Sequence, residues 1–498
     1  MAPPIPSDSP VSFVLLGTAC FVLYLAGLAI YRVYFHPLRD YPGPLLWRIS
    51  TIPRMYHLVI GDLPFLLLEY VEKYGPTLRI APNELLFNDP KAWKEIYGHR
   101  TGGALEMEKY NPKLISHLPD HVISAGRTEH GLLRRQLSHG FSEKSMREQA
   151  PIIESYVNLL IRRIYENGNN GNTPLNMREW YNWTTFDVIG DLGFGSSFDC
   201  LRDSAYHPWV KLVTSMIKEL TIFRAMVGLG FRPISDFMYK VGLLNQQSQH
   251  LDIVKHKVEE RMRLGFEKPD FMEGLIKKKD EWNMSIDKLT QNASLLILAG
   301  SETTATLLSG ATFLLATNPD KLEKLTEEVR SAFNSEDEIN LGSASSLNYM
   351  LACLNESFRR YPPVASELAR CVPKGGATIS GKFVAEGSAV SVWQWTINHD
   401  PRHWNKPMEF IPERWLGDPE HKNDQLEAVQ PFSYGPRNCI GKNLAYAEMR
   451  LILAKIIYNF DISIADDSLR WLRDQKTYIL WEKPALNIYM TPAARKSG

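Results

Sequence analysis

The chain has 498 residues, 44% hydrophobic and 11% aromatic, which is ample for a large core and, by length alone, for two or three domains. Lys+Arg and Asp+Glu are equal at 56 each, so no global charge speaks for nucleic acid. The five cysteines (Cys20, Cys200, Cys353, Cys371, Cys439) are odd in number, scattered and free of any CxxC pair. That argues against a disulfide framework or a zinc site and fits reduced, cytosol-facing thiols.

Residues 9–31 carry no charge and are mostly Val, Leu, Phe, Ala and Ile, long enough to span a bilayer as a helix. A cleaved signal peptide fits less well: no basic stretch precedes the apolar run, and Asp8 is the only charge before it. Arg32, His36 and Arg39 follow, and positive charge on that flank puts the rest of the chain in the cytosol. Tyr41-Pro42-Gly43-Pro44 reads as a stiff turn. The chain therefore divides into a membrane anchor over 1–31 (span about 11–31), a basic, proline-rich hinge over 32–50 and a single body over 51–498. Four glycosylation sequons start at Asn182, Asn283, Asn292 and Asn355, and a cytosolic body leaves them unused.

In the body, 63–74 reads as an amphipathic helix and 77–87 as a hairpin around Ala81-Pro82-Asn83. Helical periodicity then dominates, most clearly over 146–165, 180–192, 207–226, 250–264 and 285–317. A polar loop covers 167–174, and short strands return over 371–391 and 479–490. The pattern predicts a mainly α body with a small β-sheet region.

Along 289–319 the only charge is Glu302, within Ala299-Gly300-Ser301-Glu302-Thr303-Thr304. A carboxylate in so apolar a helix needs a task or a partner. Gly300 weakens the local ladder and the Thr303 hydroxyl can bond a carbonyl one turn back. Together they predict a small groove in the helix, suited to O₂ and a water, with Glu302 and Thr303 as a proton relay. A structural ion pair for Glu302 is the competing expectation. Further on, Glu356 and Arg359 stand i, i+3 on one helix face and can pair bidentately, in a helix ending at Tyr361-Pro362-Pro363.

The most informative stretch is Phe432-Ser433-Tyr434-Gly435-Pro436-Arg437-Asn438-Cys439-Ile440-Gly441, just before an apolar helix over 444–457. A thiolate in such a loop can be an axial haem ligand that favours O–O cleavage. Gly435 and Gly441 allow turns and close approach to a flat macrocycle. Arg437 can pair with a haem propionate. Phe432 can shield the sulfur, and amides at the start of the next helix are expected to lower the thiol pKa.

With Phe, Gly, Arg, Cys and Gly at these spacings, the segment resembles the haem-binding signature of the cytochrome P-450 family. Ala299 to Thr304 is similar to that family's oxygen-activation motif. Glu356, Arg359 and Arg414 (in Phe410-Ile411-Pro412-Glu413-Arg414-Trp415) resemble its Glu-Arg-Arg lock, which fixes the cysteine loop. The resemblance runs over about 45–495. It implies the family's fold and haem b (iron protoporphyrin IX), with Cys439 as axial iron ligand and His130, Arg134, Arg370 and Arg437 as propionate partners. Many relatives carry Trp where His130 stands. Arg135 and Lys442 would face an acidic reductase domain. Anchor, basic patch and Pro-Gly-Pro hinge have the order of microsomal members, which implies the endoplasmic reticulum membrane.

Substrate contacts would come from 102–124, 220–244, 295–303, 364–368 and 476–480, with Phe223, Met226, Val364 and Ile479 as candidates, so a lipophilic substrate is implied. The segments Gly190-Asp191-Leu192-Gly193-Phe194-Gly195, His36-Pro37-Leu38 and Arg79-Ile80-Ala81-Pro82-Asn83-Glu84-Leu85 look most like filamentous-fungal members that tailor secondary metabolites, nearest the isotrichodermin hydroxylase group. The implied activity is a membrane-anchored monooxygenase. Its electrons come from NADPH through a separate NADPH-cytochrome reductase, with cytochrome b5 as an additional donor. Two alternatives stay open: a haem-thiolate isomerase or dehydratase that needs no reductase, and a non-catalytic haem-binding protein.

Overall fold

The computed structural model describes residues 10–100, 106–110, 118–205, 207–241, 245–265 and 270–494. Helix α1 (Pro10–Ile30) has no buried residue. It runs on through a π-turn, so that Pro10–Phe35, which holds an 18-residue stretch of mean hydropathy 2.4, is long and apolar enough to cross a membrane. The hinge that follows is packed against the body. Arg32 donates to the Ile49 carbonyl at 2.6 Å, and the buried Arg79 donates to the Arg32 carbonyl at 2.9 Å and the Pro82 carbonyl at 2.7 Å.

The body opens with α2 (Leu45–Ile49), α3 (Ile52–Ile60) and α4 (Leu63–Tyr74), then β1 (Thr77–Ala81) and β2 (Glu84–Phe87). After α5 (Arg127–Gly140) and α6 (Glu143–Asn167) comes β3 (Leu175–Asn176). Next are α7 (Met177–Phe194), α8 (Cys200–Asp203), α9 (Pro208–Gly228), α10 (Arg232–Lys240), α11 (Asn245–Arg263) and α12 (Glu273–Lys277). The long α13 (Ile286–Ala316) leads to α14 (Pro319–Ala332) and α15 (Asn348–Arg360). Strands β4 (Arg370–Cys371), β5 (Ala377–Ile379), β6 (Lys382–Val384) and β7 (Ala389–Ser391) precede α16 (Gln394–His399) and α17 (Lys442–Asn459). The chain closes with β8 (Phe460–Ile464), β9 (Lys476–Thr477), β10 (Trp481–Glu482) and β11 (Asn487–Pro492).

The sequence explains these boundaries. Ser285 caps α13 by accepting from the Lys288 amide at 3.2 Å, and Pro319, which cannot extend α13, starts α14. The largest sheet has order β1-β2-β7-β4, with β2 parallel to β7 in the register Leu85↔Val390. A second sheet has order β3-β11-β8, and two hairpins, β5-β6 and β9-β10, complete the small β region.

The core is organised around α13, which packs against α7, α11, α15 and α17. Most of its side chains are buried, as its near-continuous apolar sequence requires. Gly300 corrects one expectation. Helix α13 runs unbroken through it, and a Cβ there would come within 2.6 Å of Ile189 Cδ1 on α7. The glycine serves the close approach of two helices rather than opening a groove. Asn182 and Asn292, two of the sequon asparagines, are buried inside α7 and α13.

Candidate functional site

The cysteine loop is built from its own backbone first. The Cys439 amide donates to the Phe432 carbonyl at 2.8 Å and the Asn438 amide to the Gly435 carbonyl at 3.1 Å. Gly435 sits at φ +74°, and a Cβ there would lie 2.0 Å from the Tyr97 carbonyl oxygen, so this turn requires glycine. Gly441 does not: its φ is −85°, and a Cβ would make only ordinary contact, 4.0 Å from Cys439 Sγ.

Side chains from distant elements then hold the loop. Arg134 of α5 donates from both terminal nitrogens to Asn438, to its carbonyl and its Oδ1, at 2.6 Å each. Arg437 donates to the Ala125 carbonyl at 2.9 Å and to Glu106 Oε1 at 3.0 Å. The Phe432 ring packs edge-on against Phe358 of α15 at 5.2 Å and against Tyr446 of α17 at 5.3 Å.

Cys439 is exposed by area yet surrounded by protein, so its sulfur opens into an interior recess. Burial pushes the thiol up, and the Gly441 amide and Arg134 pull it down. The net direction is upward, opposite to expectation, because loss of bulk water outweighs one amide and one guanidinium. On α13, Ala299 is exposed and Thr303 half-buried although their helix is central, so the face they share (i, i+4) also borders open space. The Thr303 hydroxyl donates to the Ala299 carbonyl at 2.6 Å, as the sequence predicts.

Glu302, the residue before Thr303, is buried and forms an ion pair with Lys483 Nζ. The same ammonium donates to Thr306 Oγ1 at 2.5 Å. The structure thus supplies a partner that sequence reasoning missed, in the irregular segment after β10.

A group of cations with few anions lies near the loop. Arg370 of β4 is buried, its guanidinium lies 5.2 Å from the centre of the Tyr97 ring, and its Nη1 has no hydrogen-bond partner among the described residues. Lys109 pairs with Arg370 as an isolated antiparallel bridge. Burial, then the charges of Arg370 and Arg437, push its ammonium down to about 7. His130 is held neutral, down to about 4, by burial and then by Arg437, Arg134 and Lys109. Glu106 is the carboxylate that meets this group, at Arg437 and, at 3.6 Å, at Arg127. An orphaned guanidinium nitrogen and a lysine destabilised by like charges make a pocket fit for a dianion. Next to a thiol opening into a recess, the residues fit haem with its two propionates. Lys109 has no sequence signal; Arg134 and Arg437 both also tie the loop to its surroundings.

Glu356, Arg359 and Arg414 come together, all buried. Arg359 meets Glu356 bidentately, Nε to Oε2 at 2.9 Å and Nη2 to Oε1 at 2.7 Å. Arg414 Nε reaches Glu356 Oε1 at 3.2 Å, and the Trp415 indole donates to Oε2 at 2.9 Å. Arg359 also donates to the carbonyls of Asn398, Pro407 and Glu409, tying α15 to the segment ahead of the cysteine loop.

Of the substrate regions, Val364 and Ile479 come together, packed with Ile217 of α9 and with Tyr478 and Leu480. Phe223 is buried and Met226 half-buried on the same helix. Residues 102–105, 111–117 and 242–244 of the expected contact regions lie outside the described residues.

The sequence profile of the family described as Cytochrome P-450 matches residues 42–490. The cytochrome P-450 monooxygenase tpeC of Talaromyces stipitatus is 46% identical over 97% of this chain and 95% of its own. The trichothecene C-15 hydroxylase of Fusarium sporotrichioides is 43% identical over 94% and 96%. The averantin hydroxylase of Dothistroma septosporum is 39% identical over 97% and 92%.

Proposed function

The chain belongs to the cytochrome P-450 family and is an oxygenase enzyme, and on that premise we propose a membrane-anchored haem-thiolate monooxygenase that oxidises a lipophilic intermediate of fungal secondary metabolism. One observation carries the reading: a cysteine sulfur opens into an interior recess, and the buried Arg370 has an Nη1 without a hydrogen-bond partner among the described residues. Bound haem would supply reduction of O₂ and insertion of one of its oxygen atoms into the substrate.

The chain's own residues have distinct tasks. Cys439 would hold the haem iron through its thiolate, with Phe432 and Gly441 flanking it. Arg370, Arg437, His130 and Arg134, joined by Lys109, would hold the propionates, and Arg134 also fixes the Asn438 peptide. Glu302 and Thr303 move protons toward the site. Glu356, Arg359 and Arg414 keep the loop in place. The apolar group of Ile217, Val364 and Ile479 excludes water and favours a lipophilic substrate. The resemblance to fungal members that tailor secondary metabolites points to a terpenoid, polyketide or alkaloid skeleton, and the similarity to proteins named trichothecene C-15 hydroxylase and averantin hydroxylase supports a secondary metabolite as substrate. The exposed Arg135 and Lys442 give an acidic reductase a docking face, with electrons from NADPH and the anchor in the endoplasmic reticulum membrane.

Turnover of the membrane-bound protein with reductase, NADPH and a panel of polycyclic metabolites tests this. The expected product has gained one oxygen atom. Cys439→Ala abolishes it, and Thr303→Ala diverts electrons to peroxide. A rearranged product of unchanged mass, formed without NADPH, would make the protein an isomerase instead.

A further inference from the structure

Lys483 lies in Trp481-Glu482-Lys483-Pro484, at the far end of the chain from α13, yet its side chain is 6% exposed and ends on Glu302 and Thr306. The segment that delivers it is fixed on two sides. Arg178 at the start of α7 donates to the Lys483 carbonyl at 2.6 Å, and the Trp481 indole donates to the Pro362 carbonyl at 2.7 Å while stacking on Tyr361 at 4.5 Å. Glu302 is bound through Oε1 alone; its buried Oε2 accepts no hydrogen bond among the described residues. The other titratable groups facing the pair are Tyr361 and Arg178.

We propose that Lys483 is a positioning residue that keeps Glu302 ionised, with one carboxylate oxygen tethered and the other free to take up and release a proton, and so governs proton supply to Thr303. This rests on the relay reading above. The physical reason is local. A carboxylate this deep with no cation beside it takes up a proton and becomes a neutral acid. A buried ammonium in contact keeps both groups charged, and removing either leaves the other as an uncompensated buried charge. The ammonium is pushed down by burial and back up by Glu302, so the two charges depend on each other.

The test compares full-length, reductase-coupled Lys483→Met, Lys483→Arg, Glu302→Gln and the Glu302→Gln/Lys483→Met double variant, with haem content and Tm measured alongside. In Lys483→Met the ratio of peroxide to product rises by roughly tenfold or more. Coupling recovers partly as pH is raised, because the now neutral Glu302 ionises only at higher pH. Lys483→Arg restores coupling. Infrared difference spectra of the resting enzyme show a protonated-carboxyl C=O band in Lys483→Met that is missing from wild type and from the double variant. Should Lys483→Met fail to fold, Lys483→Gln, which keeps a donor without the charge, carries the same readouts. Wild-type coupling, pH profile and infrared spectrum in the lysine variant, with only Tm lowered, would overturn the role of Lys483 and leave a structural ion pair. Uncoupling in Glu302→Gln under that outcome leaves the relay itself standing, whereas normal coupling in Glu302→Gln sinks both.

Discussion

Glu448 of α17 is buried and meets no cation among the described residues, and burial alone pushes its carboxyl up from 4.5 to about 8. The folded state therefore binds a proton that the unfolded chain has released between these two values. The contribution to stability is complete below pH 4.5 and is lost as pH rises through about 8. Glu448→Gln should leave Tm near wild type at pH 5 and raise it relative to wild type at pH 8.5, reflecting a stability difference on the order of a few kcal/mol at most. Parallel Tm curves for the two proteins across that range would show that Glu448 has a partner. Single residues with local chemistry were legible in the sequence: Cys439 between its glycines, and Glu356 three positions before Arg359. Lys483 and Lys109 were not. A lysine in an irregular segment looks solvated, and only the unpaired charge of Glu302 in its apolar helix hinted that a cation was owed to it.

At the scale of elements, the lock gathers its donors onto one carboxylate. Glu356 accepts from Arg359 twice and once each from Arg414, Trp415 and the Ile411 amide at 3.0 Å. Glu356→Ala leaves the buried Arg359 guanidinium without its carboxylate, while Arg414 keeps Asp424, and should cost about 3–5 kcal/mol. Because the same arginines tie α15 to the carbonyls of Asn398, Pro407 and Asn405, the loss should reach the cysteine loop and abolish haem retention. A purified variant with full haem content and wild-type spectra would refute that. Gly435→Ala attacks the loop from its other side, combining a left-handed backbone with a carbonyl 2.0 Å from the new Cβ. It should cost about 1–3 kcal/mol in strain, read as a lower denaturation midpoint and a smaller haem fraction. Helices were legible here because their periodicity is local, and Ser285 and Pro319 mark the ends of α13. The role of Gly300 was not, because what a glycine is for depends on the neighbour it meets, here Ile189, more than a hundred positions away.

At the scale of the molecule, long-range placement decides what sequence periodicity leaves open. The parallel pairing of β2 with β7 joins Leu85 to Val390 across most of the chain, and no pattern in either short strand specifies it. The apolar surface has the same character. Leu45, Leu46, Ile52 and Tyr56 on α2 and α3, and Phe231, Ile234, Phe237 and Val241 in and around α10, are all exposed. Helix α9 packs against both α3 and α10, so these side chains belong to one end of the body, and the hinge from α1 enters at α2. An exposed apolar set of this size marks an interaction surface, and beside an apolar helix long enough to span a bilayer we expect it to meet a lipid surface. Deleting residues 1–35 should therefore leave a protein that still sediments in part with lipid vesicles. Replacing Leu46 and Phe237 by Asp in that truncated form should release it to the soluble fraction. Each side chain withdrawn from lipid forfeits about 1.5–3 kcal/mol, so two together should weaken partitioning by at least about a hundredfold. Full release on truncation alone would mean that α1 carries all of the attachment, and that the exposed side chains near α3 and α10 face water.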